Sequence, residues 1–107
     1  MPYNHISAEE LNSIISTGLP ADSTIIDVRT PAECSRGMIK GAKNIPVDQI
    51  LGEKENLSKY KKIYLYCLSG GRSDLVAETF SAQGFHGELY SLTSGLLAWR
   101  KNGYELK

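Results

Sequence analysis

The sequence predicts an α/β fold, a mainly parallel sheet covered by helices on both faces. Three observations lead there. Short runs rich in β-branched and aromatic residues alternate along the chain with segments that carry helix start and stop signals. The clearest run, Ile63-Tyr64-Leu65-Tyr66, is apolar throughout, as expected of a strand buried on both faces. And 107 residues with 41% apolar content suffice for one core but not for two, so residues 1–107 are read as one domain.

The elements follow in order. Ser7 and Glu10 form a capping box, Ile6 and Leu11 a hydrophobic staple, and Leu11, Ile14 and Ile15 one apolar stripe that ends at Gly18. Ile25-Ile26-Asp27-Val28 reads as a short buried strand. Thr30, Pro31 and Glu33 open a second, short helix that Gly37 ends. Ile39 to Ile45 is weakly strand-like and is interrupted by Gly41. Pro46 leads into a short helix near Val47 to Leu51, and Gly52 to Lys62 is polar and expected to be exposed. Tyr64 and Tyr66 face one side of the central strand, Ile63 and Leu65 the other. A helix over about Ser73 to Gln83 should bury Leu75, Val76, Thr79 and Phe80. Glu88-Leu89-Tyr90-Ser91 is a last strand, and a final helix carries Leu96, Leu97 and a core Trp99.

Composition narrows the function. Twelve Lys and Arg balance twelve Asp and Glu, so no net charge draws the chain to nucleic acid or to an anionic membrane. The longest apolar run, Ile63 to Leu68, is far short of the ~20 residues that span a bilayer. Met1 to His5 has neither the basic nor the apolar region of a secretory signal, so the expected setting is a reducing cytoplasm. No Cys-x-x-Cys pair is present, and His5 and His86 share no ligand spacing with Cys34 or Cys67, so no metal site is expected.

Ligands of such sheets bind where strands end and loops enter helices. Cys67 stands at that point, after the strongest strand. The segment Cys67-Leu68-Ser69-Gly70-Gly71-Arg72-Ser73 has the make-up of an anion cradle. Gly70 and Gly71 permit a tight turn with N–H groups pointing inward, the following helix adds the positive end of its dipole, and Arg72 adds a cation. All three favour thiolate over thiol and should bring Cys67 below the ordinary value of about 8.5. Cys34, by contrast, reads as a small inert side chain; a resolving thiol for Cys67 is the minor alternative.

The surrounding segments resemble the motifs of the rhodanese family. Asp27-Val28-Arg29-Thr30-Pro31-Ala32-Glu33 and Gly37-Met38-Ile39-Lys40-Gly41-Ala42 through Pro46 are similar to its two leading motifs. Cys67-x-x-Gly70-x-Arg72-Ser73 is similar to its active-site loop, and Ser94-Gly95-Leu96-Leu97-Ala98-Trp99 with Gly103-Tyr104 to its closing motif. The resemblance runs from Ile6 to Tyr104. The family usually has an aromatic residue where Cys34 stands, His at Met38, and a Gly-Gly pair at Ser94-Gly95. The resemblance implies a five-stranded parallel sheet in the order 1-5-4-2-3, flanked by helices on both faces. It implies a sulfurtransferase in which Cys67 takes sulfane sulfur from thiosulfate or a persulfide, holds it as a persulfide and passes it to a thiol, a cyanide-like acceptor or a sulfur-accepting protein. Leu68, Ser69, Gly70, Gly71, Arg72 and Ser73 then form the substrate cradle. No cofactor, metal, nucleic acid or membrane is required.

Two other functions compete. A cysteine phosphatase or arsenate reductase would use a Cys…Arg phosphate loop, but only Leu68 to Gly71 separate Cys67 from Arg72, a ring shorter than that of tyrosine phosphatases. A catalytically silent binding or regulatory module commonly lacks the cysteine that this chain retains. Asp27 and Arg29 read as a structural pair, with Arg29–Glu33 as the alternative pairing, and His5 and His86 as surface or turn residues. Arg72 is the loop's single cation, which predicts weak thiosulfate turnover and better turnover of persulfides, unless a basic residue such as Lys40 or Lys43 folds in beside it.

Overall fold

The structure, a computed structural model, describes residues 3–107; Met1 and Pro2, part of the N-terminal signal reading, lie outside the described residues. The element order is β1 (Asn4–Ile6), α1 (Ala8–Thr17), β2 (Ser23–Asp27), α2 (Pro31–Cys34), β3 (Lys43–Asn44), α3 (Val47–Ile50), α4 (Lys54–Leu57), β4 (Lys62–Tyr66), α5 (Gly71–Ala82), β5 (Glu88–Leu92) and α6 (Gly95–Lys101). The five strands form one sheet in the order β1-β5-β4-β2-β3. Every pairing is parallel. Among the described residues no helix is long and apolar enough to cross a membrane.

Two apolar layers sandwich the sheet. On one side Ile26, Ile63, Leu65 and Leu89 pack with Val76, Ala77 and Phe80 of α5 and with Ile50 and Leu57. On the other, Ile25, Tyr64, Tyr66 and Leu92 pack with Leu11 of α1 and with Leu96 and Trp99 of α6. The alternation of Ile63 and Leu65 with Tyr64 and Tyr66 is therefore the expected one, because successive strand side chains point to opposite faces. Both capping boxes form: Glu10 N–H donates to Ser7 Oγ at 3.1 Å and Glu33 N–H to Thr30 Oγ1 at 3.2 Å, each glutamate returning an oxygen to its cap residue.

Several local expectations need correction. Leu75 is 51% exposed, and Thr79 is only partly buried; Ser73, Val76, Ala77 and Phe80 form the buried face of α5. The helix starts two residues earlier than expected, and its inner face is set by the small residues Ser73 and Ala77, which sit tight against the sheet. Gly52 to Lys62 is not simply an exposed polar stretch: it holds α4, and Leu57 is buried. Leu97, grouped above with Leu96 and Trp99, is 50% exposed. The region Ile39 to Ile45 contributes only β3, while Ile39 itself enters the core outside any strand, where its N–H donates to the Tyr66 hydroxyl at 2.9 Å.

Candidate active site

Parallel strands bring β4 and β2 to a common edge, and the loops leaving their carboxyl ends meet there. The loop after β4 carries Cys67; the loop after β2 carries Arg29 and opens α2. Cys67 is 1% exposed and sits over the N-terminus of α5. Gly70 caps that helix with φ +111°, a region that residues with a Cβ rarely adopt, and its N–H reaches Cys67 Sγ at 3.1 Å. Gly71, expected to be equally necessary, is not in this region, and a Cβ there would meet nothing within 4 Å. One glycine makes the turn; the other is a tolerant helix position.

Burial pushes the Cys67 thiol up, but the N–H groups of Ser73, Gly70 and Arg72 and the Ser73 hydroxyl outweigh it, and the net shift is downward. The thiol lies 3.8 Å from Ser73 Oγ, which donates to Gly70 O at 3.1 Å and shares a 2.7 Å hydrogen bond with Ser91 Oγ. Ser91, at the end of β5, escaped the sequence reading. Its signal was there: a serine in register with Leu89 on a buried strand face needs a polar partner.

Arg72 is not the free cation the loop sequence suggested. Its guanidinium forks onto Glu33, with Nη1 donating to Oε1 at 2.7 Å and Nη2 to Oε2 at 3.0 Å. The same hydrogen bonds hold the Glu33 carboxylate down to about 2, so the pair stays ionised throughout the range in which thiols titrate. Glu33 thus does two things: it caps α2 and it ties the Cys67 loop to the β2 loop. The alternative pairing of Arg29 with Glu33 does not form. Arg29 is instead bound by Asp27, Nε to Oδ1 at 3.0 Å and Nη2 to Oδ2 at 2.7 Å, with both residues buried, as the structural reading had it.

Because Arg72 and Glu33 cancel, removing either should move Cys67 in opposite directions. Arg72→Ala leaves a carboxylate near the loop and should raise the pH midpoint of thiol alkylation. Glu33→Gln leaves an uncompensated guanidinium and should lower it. Each shift is expected to be below about one pH unit at this partly exposed pair. Rates of iodoacetamide modification against pH measure both; shifts of the same sign would show that the pair acts only by holding the loop.

Both cysteines are free. Cys34 is half-buried, and its thiol is pushed up to about 11 by burial and by the charge of Asp27. At neutral pH it is protonated and a poor nucleophile. Leu68 is partly buried and Ser69 exposed at the rim. Leu68 borders a cleft of about 220 Å³ together with Arg29, Glu33, Arg36 and Arg100. Lys40 and Lys43, the candidates for an added cation, lie elsewhere: Lys40 lines a separate cleft with Trp99 and Tyr104, and Lys43 Nζ donates to the Tyr60 hydroxyl at 3.0 Å. His5 and His86 are exposed.

α6 holds the loop from behind. Leu96 N–H donates to Cys67 O at 2.9 Å and Leu97 N–H to Leu68 O at 3.1 Å. Such a contact requires Gly95, because a Cβ there would stand 2.4 Å from Cys67 O.

The fold is thus a parallel α/β sheet with Cys67 buried in the loop that leads from β4 into α5, its sulfur within reach of the Gly70 N–H. The Rhodanese-like domain family matches residues 7–102, and the chain belongs to that family. It is 32% identical over 100 residues to a sulfurtransferase of Allochromatium vinosum, covering 94% of this chain and 91% of the relative. It is 30% identical to the thiosulfate sulfurtransferase GlpE of Coxiella burnetii, covering 94% and 90%. Other matched relatives are longer, and the chain spans 17% to 59% of them. Among solved structures, a rhodanese-related protein of Thermoplasma volcanium superposes with a TM-score of 0.84 at 28% identity over 98% of both chains. The five-stranded parallel sheet and its strand order, expected from the resemblance, are both observed.

Proposed function

We propose that this protein is a sulfurtransferase that carries sulfane sulfur as a persulfide on Cys67. The observation that supports this best is the Gly70 N–H at 3.1 Å from a buried sulfur at the start of α5, a donor set that favours sulfur anion over thiol. The relatives named as sulfurtransferases point to the same chemistry.

The Cys67 thiolate attacks the terminal sulfur of thiosulfate. The new S–S bond forms as the old one breaks, and sulfite leaves with the bonding electron pair. With an organic persulfide, RS–SH, the same attack gives Cys67–S–SH and the thiolate RS⁻. The outer sulfur stands about 2 Å beyond Sγ. A thiolate or cyanide then attacks that outer sulfur and releases the Cys67 thiolate unchanged. Backbone N–H groups stabilise the sulfur anion at both stages, and no proton shuttle is needed when thiolates enter and leave.

Intact mass tests the reading. Exposure to thiosulfate or to a low-molecular-weight persulfide should add the mass of one sulfur atom, and cyanide or excess thiol should remove it. No gain with either donor would mark a binding module rather than an enzyme.

A further inference from the structure

The cleft beside Leu68 carries charge that the whole chain does not. Four charged residues line it: Arg29, Glu33, Arg36 and Arg100. Arg29 is neutralised by buried Asp27, and Glu33 by Arg72. Arg36 and Arg100 are exposed, and neither has an ion-pair partner among the described residues. The local balance is therefore two positive charges, in a chain whose formal charges sum to zero.

The fold fixes where these two arginines stand. Arg36 N–H donates to Glu33 O at 3.2 Å, and the next residue's carbonyl, Gly37 O, accepts from Arg29 Nη2 at 2.8 Å, which ties the backbone at Arg36 to the buried pair. Arg100 lies one helical turn beyond Leu97, whose N–H is bonded to the active-site loop at Leu68 O. Both arginines thus line the cleft beside the loop without belonging to the loop. The apolar part of the same cleft is half-buried Leu68, and exposed Leu97 stands one helical turn before Arg100. Cys67 itself does not line the cleft.

This layout suits a ligand with three parts: sulfur at Cys67, a short carbon chain over Leu68, and an anion beyond it. A guanidinium fork matches the two oxygens of a carboxylate. Thiosulfate fits less well, because its sulfonate is bonded directly to the sulfur that is transferred. We propose that Arg36 and Arg100 bind the carboxylate of an organic persulfide donor whose chain lies over Leu68. The proposal rests on the reading of Cys67 as the sulfur carrier, and it makes the two arginines specificity-determining residues for the donor.

The test compares three probes: glutathione persulfide, whose carboxylates stand away from the sulfur; the persulfide of 2-mercaptoethanol, whose tail is uncharged; and thiosulfate. In the variant Arg36→Ala/Arg100→Ala, kcat/KM for glutathione persulfide should fall about tenfold, chiefly through KM, since the lost contacts hold the donor's tail in ground and transition states alike. Lysine at both positions should restore part of the loss. The uncharged persulfide should load Cys67 at the wild-type rate in every variant, which also shows that the variants are folded. The wild-type KM for glutathione persulfide should rise with salt, and that of the alanine variant should not. Equal kinetics with glutathione persulfide in wild type and variant, while the uncharged donor still loads Cys67, would overturn the proposal and leave the sulfurtransferase reading intact. A loss confined to thiosulfate would overturn it as well. Failure of all three donors to load wild-type Cys67 would remove the sulfurtransferase reading, and this proposal with it.

Discussion

Cys67→Ser is expected to lower sulfur transfer by at least about three orders of magnitude while leaving a folded protein. A serine hydroxyl stays protonated near neutral pH, and oxygen cannot replace sulfur in a reversible disulfide-like exchange. The site tolerates the change structurally. The oxygen is smaller than the sulfur and keeps the same partners, accepting from Gly70 N–H and donating to the Ser73 hydroxyl oxygen. The stability change should stay within about 2 kcal/mol. Cys34→Ser is the matched control. That thiol is held up to about 11 by burial and by Asp27, and it stands in α2 rather than in the Cys67 loop. Most activity should remain. Steady-state turnover with cyanide as acceptor, beside thermal unfolding of each variant, separates the outcomes. A folded but inactive Cys34 variant would mean that two cysteines relay the sulfur and that the role given to Cys67 alone is wrong.

The parts of this fold that the sequence revealed are those governed by local physics. The two capping boxes, the apolar β4 and the glycine stops depend on residues within one turn of each other, and they appear where expected. The place of Cys67 follows from strand–loop–helix order alone. What escaped the reading depends on contacts between distant segments. Nothing local marks Glu33 as the partner of Arg72, 39 positions along the chain. Nothing local places Arg36 and Arg100 at one cleft, because α2 and α6 meet the Cys67 loop only after the sheet has ordered its strands. The first strand, Asn4–Ile6, is a similar case: three residues carry too little pattern to be read, and pairing with β5 makes them a strand. The departure at Ser94 is also informative. Its φ of +57° is the only positive value among the described non-glycine residues, so the serine occupies backbone space where the family usually has glycine.

Gly95→Ala is expected to destabilise the protein by about 3–5 kcal/mol and to disable the site together with the fold. Three effects add. Gly95 has φ +51°, which costs a residue with a Cβ about 1 kcal/mol. The added carbon would stand 2.4 Å from Cys67 O and 2.8 Å from Leu68 O, and both are backbone atoms that cannot rotate aside. Relieving the clash means moving α6 from the loop, which breaks the hydrogen bonds from Leu96 N–H to Cys67 O and from Leu97 N–H to Leu68 O, about 1 kcal/mol each. Alternatively the loop moves, and then the Gly70 N–H leaves Cys67 Sγ. Either way the thiol should lose donors, and its alkylation midpoint should rise. A stability loss of this size is a large part of the ~5–15 kcal/mol typical of a domain. Gly103→Ala supplies the comparison. Its φ is +76°, but a Cβ there meets nothing within 4 Å, so only the backbone strain applies and about 1 kcal/mol should be lost. Denaturant unfolding of both variants, with thiol alkylation against pH, measures the difference. If Gly95→Ala matched Gly103→Ala in stability and kept the wild-type thiol midpoint, the close seat of α6 on the Cys67 loop would not be what shapes the cradle.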